Sequence, residues 1–186
     1  MSLGLQLSNN DFSQSANTVA LGGNSEFGHG GNADATTNQV GSISDNDSFF
    51  SGHEFPWHSG PAAGVNLQVS DNTLTQTATT AAIGGSSVFG DGGDAHATTN
   101  QVGSISDNDS FQSGPSYHGP EFAPYHDGPF FSGPVADIDL QVSANTLTQV
   151  ANTVAIGGTS VFGDGGDAHA MTNQVGSISD MDHMFS

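Results

Sequence analysis

The chain has 186 residues, with 19 acidic side chains, 8 histidines and no lysine, arginine or cysteine, giving a formal charge of −19. Without basic side chains nothing neutralises phosphate, which argues against nucleic-acid binding, lysine-type phosphate loops and anionic membrane surfaces. Without cysteine there are no disulfides, thiolate metal sites or cysteine nucleophile, and at 34% apolar residues with 26 glycines the chain is too polar for an ordinary core yet too patterned for plain disorder.

Three segments align without a gap: residues 5–51, 67–113 and 140–186, each 47 long. The second and third agree at 37 of 47 positions. The first diverges more, with Glu26 for Val88, His29 for Asp91 and Asp34 for His96, as a terminal unit would. Between them lie two spacers, residues 52–66 and 114–139, which hold all seven prolines and the aromatics Phe55, Trp57, Tyr117, Phe122, Tyr125, Phe130 and Phe131. Proline cannot donate to a β ladder, so its confinement to the spacers marks the repeats as the parts that pair.

Within a repeat the pattern is that of strands. In the third copy the segment from Leu140 alternates, and Thr148, Val150, Asn152, Val154 and Ile156 share one face of an extended chain. Gly157 and Gly158 interrupt, residues 163–167 read as a tight turn, and a further strand is expected over 168–178. The Ala-rich residues 77–83 have helix propensity, but their threonines and the following Gly-Gly favour strand. The expected class is all-β: a three-repeat β-solenoid or cross-β stack with Pro-rich irregular spacers.

Such a unit is too poor in large apolar groups to bury a core alone, and stacking like units solves this. Stacking turns buried amides into ladders of identical residues. The candidate columns are Gln14/Gln76/Gln149, Gln39/Gln101/Gln174 and Asn38/Asn100/Asn173, with an aromatic stack of Phe27/Phe89/Phe162. Aliphatic columns follow from Leu21/Ile83/Ile156 and Ile43/Ile105/Ile178.

Each repeat also carries Ser-x5-Gln, at Ser8/Gln14, Ser70/Gln76 and Ser143/Gln149, with a second glutamine later in the unit. This resembles the repeats of curli-type and Fap-type functional amyloids, the secreted subunits of bacterial biofilm fibres. Curli repeats are strand–turn–strand units of roughly half this length, so the resemblance allows two coils per unit. It implies an extracellular matrix fibre whose partner is itself, with the cell surface or other matrix components beside it, and no catalytic residues.

In-register stacking also forms columns of Asp45/Asp107/Asp180 and Asp47/Asp109/Asp182, and like charges opposite each other destabilise a sheet. Protonation, a divalent cation or placement on exposed turns would relieve them, and exposed turns are the expected solution. Asp91, Asp94 and His96, with Asp164, Asp167 and His169, form the best metal candidate. Carboxylates with turn carbonyls suit calcium, which makes a calcium-responsive β-roll or adhesion module the alternative function; no cofactor is otherwise expected. A surface-binding solenoid, for ice, is a third reading. His53, His58, His118 and His126 fall in the spacers. No enzyme is expected, because Ser, His and Asp occur in repetitive contexts without a nucleophile elbow. No apolar run is long enough to span a membrane. The first residues show no ordinary signal peptide, and the acidic-then-apolar residues 180–186 resemble an uncleaved secretion signal.

Overall fold

The computed structural model describes residues 2–51, 63–113 and 136–185. Most of both spacers, with Trp57, Tyr117, Tyr125 and the four spacer histidines, lies outside the described residues. Seven strands are present: β1 (Ser2–Leu21), β2 (Ala33–Asp45), β3 (Ser48–Ser51), β4 (Ala63–Ile83), β5 (Ala95–Ser113), β6 (Ala136–Ile156) and β7 (Ala168–Phe185). Among the described residues there is no helix, so the protein is all-β. The Ala-rich end of β4 is strand like the rest, because register partners in β1 and β6 flank every residue from Ala78 to Ile83. The final strand runs to Phe185, beyond the expected 178.

Every strand pair is parallel. One sheet has the order β1-β4-β6, and in the other β5 lies between β2 with β3 on one side and β7 on the other. The register places like on like: Leu5 beside Leu67 beside Leu140, and Asn38 beside Asn100 beside Asn173. Pairing skips 62 residues at the first junction and 73 at the second. The second spacer is the longer one, and it absorbs that difference without disturbing register. Parallel neighbours need a long connection; here it is the strand of the opposite sheet plus a spacer. Each 47-residue unit thus gives one long strand to each sheet, rather than two short coils.

The sheets are staggered face to face. β2 lies against both β1 and β4, β5 against β4 and β6, and β7 against β6, so the strands interleave in the order β1, β2, β4, β5, β6, β7. Burial alternates without a break along β2. Even-numbered residues of β4 and odd-numbered residues of β5 point inward. The apolar part of the interior is thin. Ala33, Ala35, Ala82, Ala95 and Ala97 form one cluster and Ile43, Leu74 and Ile105 a second, while Gln, Thr, Asn, Ser and Asp fill the rest. The larger aliphatics Val150, Val154 and Ile156 lie on the outer face.

The interior positions are also the invariant ones within this chain. From Leu67 to Asp109, seven residues differ from their third-copy equivalents, and each faces outward or sits in the loop. Between the first and second copies, the inward positions from Gln6 to Ala20 and from Ala33 to Asp47 differ only at Phe12, where the second has Leu74.

At the loop end the glycines extend the same zigzag through backbone bonds. Gly85 N–H donates to the Gly31 carbonyl at 2.8 Å, Gly93 to Gly85 at 2.7 Å, Gly158 to Gly93 at 2.8 Å and Gly166 to Gly158 at 2.8 Å. None of these glycines has positive φ; closeness is what requires them. A Cβ on Gly93 would overlap the Gly31 carbonyl, whereas one on Gly23 meets nothing within 4 Å. Gly93→Ala is therefore expected to cost about 1–3 kcal/mol or more and Gly23→Ala far less, as read by thermal melts. Equal losses would contradict this packing.

Candidate functional site

The interior is organised by columns of identical polar side chains. Gln149 Nε2 donates to Gln76 Oε1 at 2.8 Å, and Gln76 Nε2 to Gln14 Oε1 at 2.9 Å. Gln14, Gln76 and Gln149 each also donate to a carbonyl of the facing sheet, that of Val40, Val102 and Val175 respectively. Gly103, opposite, leaves the room they occupy, since a Cβ there would lie 3.1 Å from Gln76 Oε1. In the other sheet Gln174 donates to Gln101 and Gln101 to Gln39, both at 2.7 Å, and Gln39 and Gln101 reach the Thr77 and Val150 carbonyls. Gln76 and Gln101 are fully buried with both amide donors satisfied, the condition under which a polar interior is stable.

A hydroxyl column crosses between the sheets. Thr172 donates to Thr153, Thr153 to Thr99, Thr99 to Thr80, Thr80 to Thr37 and Thr37 to Thr18, each at 2.7 Å. Sequence reasoning sees Thr80 and Thr99 only as parts of Thr-Thr pairs too irregular for a surface-binding face, and does not predict this column. The available signal is their identity in all three copies at positions in step with the glutamines of the same strands.

On the surface, Asn173 donates to Asn100 at 2.9 Å and Asn100 to Asn38 at 2.8 Å. Phe27, Phe89 and Phe162 stack at centroid separations of 5.3 and 5.1 Å, within 7° of parallel, and all three are exposed. Leu21, Ile83 and Ile156 are register neighbours on the exposed face. His96 and His169 stack 5.0 Å apart. In the loops, the Asp164 N–H donates to Asp91 Oδ1 at 3.0 Å and the Asp167 N–H to Asp94 Oδ1 at 2.9 Å. Asp91 and Asp94 thus cap the backbone of the neighbouring loop at Asp164 and Asp167. Among the described residues no three acidic or histidine side chains converge to hold a metal by themselves.

The strand aspartates overturn an expectation. Asp45, Asp107 and Asp109 do not sit on exposed turns but are buried between the sheets, 7, 1 and 0% exposed. Their inward parity puts them there, and donors from the facing sheet hold Asp45 and Asp107. Asp107 Oδ2 accepts from Ser70, Asn72, Ser143 and Asn145 at 2.9–3.3 Å. Asp45 Oδ2 accepts from Ser8 at 2.7 Å and Asn10 at 2.9 Å. The serine of the Ser-x5-Gln spacing is thus a carboxylate ligand. Asp109 lacks such donors: desolvation first, then the adjacent Asp107 charge, pushes its carboxyl up to about 7. Asp47 and Asp182 are raised as well, by desolvation and then by Asp45 and Asp180 respectively.

Both ends of the stack are open. β1 and β6 are the edges of one sheet, β2 with β3 and β7 those of the other. At the β1 end, Asn10, Phe12, Ser42 and Ile43 line a hollow. At the β7 end every strand residue from Ala168 to His183 is exposed, including Ile178, at 48%, and Gln174. Comparison with protein families, with curated proteins and with solved structures found no match.

The raised carboxyls carry a sign. An aspartate whose folded pKa lies above its unfolded value binds more protons when folded, so its contribution is fully present below the unfolded value and is lost as pH rises through the folded one. For Asp109 that window runs from 3.8 to about 7. In metal-free buffer the thermal midpoint should fall across this window, and Asp109→Asn should flatten much of the slope. A flat wild-type profile would contradict the burial of these carboxyls.

Proposed function

We propose that this protein is a structural subunit that assembles with copies of itself into β-rich extracellular fibres, as scaffold of a biofilm or similar matrix, each chain contributing three turns of a continuing β-solenoid. The observation that carries this reading is the pair of open ends. Each column of the interior stops at both, and the residues at one end are those that the other end pairs with inside the chain. Gln14 is to Gln76 as Gln76 is to Gln149, so a second copy placing its β1 on β6 and its β2 on β7 would prolong the ladders in register.

Unpaired edges template further strands, and parallel in-register stacks of amides and aromatics are the arrangement that gives cross-β fibres their stability. Growth would be directional. In both glutamine columns, and in the threonine column, the donor always belongs to the strand farther from β1. A copy added at the β7 end would donate from Gln14 to Gln149 and from Gln39 to Gln174, and the reverse orientation would oppose like groups. The likeness to curli-type and Fap-type repeats supports the same reading, as does the absence of Lys and Arg, which leaves no site for trypsin-like proteases. No catalytic role is assigned to any residue.

The test uses Ile178, inward-facing and 48% exposed at the open end, whereas its first-copy equivalent Ile43 is 7% exposed and packs with Leu74. Ile178→Lys should leave the circular dichroism of the unassembled chain unchanged. Burying an unpaired ammonium on docking is costly, so seeded elongation followed by light scattering should slow by about tenfold or more. Elongation at the wild-type rate, or wild-type chains that form no fibres by electron microscopy, would overturn the proposal.

A further inference from the structure

Among the described residues five buried side-chain oxygens have no hydrogen-bond donor: Asp47 Oδ2, Gln68 Oε1, Asp107 Oδ1, Asp109 Oδ2 and Gln141 Oε1. They belong to one region of the interior. There the column of Gln68 and Gln141 faces that of Asp47, Asp109 and Asp182: Gln141 Nε2 donates to Asp182 Oδ1 at 2.9 Å, and Gln68 Nε2 approaches the Asp47 carbonyl at 3.5 Å. Gln68 and Asp109 are 0% exposed and Asp107 is 1% exposed. Asp107 directs four donors to Oδ2 and none to Oδ1. Leaving a buried acceptor unpaired costs about 1–3 kcal/mol, more for a charged one, and the chain has no lysine or arginine to supply a partner.

The strand spacing selects what could fill this region. Equivalent atoms of neighbouring in-register strands lie about 4.7–4.9 Å apart. A point midway between two stacked oxygens is therefore about 2.4 Å from each, inside the 2.3–2.6 Å range of calcium–oxygen bonds and longer than the 2.0–2.1 Å that magnesium demands. The donor set is oxygen only, which disfavours zinc and copper.

We propose that the buried acidic tier is a calcium site, with the stacked Asp47 Oδ2 and Asp109 Oδ2 as carboxylate ligands and the stacked Gln68 and Gln141 amide oxygens as neutral ones. Water completes the sphere and the adjoining Asp107 charge adds attraction, so the site needs two carboxylate ligands and not three, as no three acidic or histidine side chains converge among the described residues. Calcium accepts such mixed sets of carboxylates, amide carbonyls and water. The ion neutralises the column that stacking forces together, and it enters from the open end, where Asp182 is exposed. This site is separate from the loop aspartates, whose Asp91 and Asp94 oxygens already accept backbone N–H groups.

The test is calorimetric titration of calcium and of magnesium into the full, unassembled chain in sodium-free buffer near neutral pH, so that its outcome is independent of fibre growth. Two variants are run in parallel: D107N/D109N, and D91N/D94N/D164N/D167N in the loops. Calcium should bind and raise the thermal midpoint in the wild type and in the loop variant. The affinity of D107N/D109N should fall by about tenfold or more, and magnesium should bind more weakly than calcium everywhere. D107N/D109N keeps its shape with amides in place of carboxylates, and its circular dichroism checks that it folds. The inference is overturned if millimolar calcium gives no heat and no thermal shift in the wild type, if binding is lost in the loop variant but kept in D107N/D109N, or if magnesium binds as well as calcium. In the first case, stabilisation by acid alone would assign the tier to protons.

Discussion

Parallel, in-register pairing of equivalent strands is the constraint from which the other features follow. Once Leu5 lies beside Leu67 and Leu140, each side chain has a copy of itself on the neighbouring strand, about 4.8 Å away. A residue type is tolerated inside only if it can stack with itself. Glutamine can, since its amide donates on one side and accepts on the other. Threonine does so through an alternating hydroxyl chain, alanine and leucine by contact, and glycine by leaving room for the glutamine opposite. The interior is therefore uniform from copy to copy, and the outer face is where the copies vary.

Aspartate is the residue that satisfies this rule least well, and it shows what the interior has to solve. Asp107 is held by serine and asparagine donors from two neighbouring strands, a solution that works because Ser70, Asn72 and their equivalents recur with it. Asp109 accepts from the Asp47 N–H at 3.3 Å, which does not offset the desolvation and the Asp107 charge that raise its carboxyl. The column is unusual in a chain without one basic side chain. Protonation relieves the column, and on the calcium proposal a cation would compete with the proton for the same oxygens, tying the stability of the stack to the ionic conditions around it.

Much of this was legible from residue order. Gapless alignment of the three copies, exclusion of proline and period-2 alternation are enough to place strands, and the glutamines stand out because an amide is the side chain that best makes a ladder. The parity of the aspartates was not. Asp45 and Asp47 lie close to serine, asparagine and a break between strands, a neighbourhood that reads as a turn. Only counting inward positions forward from Ala33 puts them inside. The hydroxyl chain was hidden for a different reason: Thr80 and Thr99 meet across the two sheets, and that meeting depends on the stagger, which no single strand encodes. The outward placement of Val150, Val154 and Ile156 likewise inverts the usual rule, because small and amide side chains fill the narrow gap between the sheets.

The absence of native cysteine makes register directly measurable. Nitroxide labels on Thr36→Cys and Thr98→Cys, outward-facing register partners on β2 and β5, should show strong dipolar broadening in electron paramagnetic resonance, as expected for Cα atoms about 4.8 Å apart. The pair Thr98→Cys and Met171→Cys, across β5 and β7, should broaden equally. Two spectra that equal the sum of their singly labelled forms would contradict in-register stacking, and with it the account of every column in the molecule.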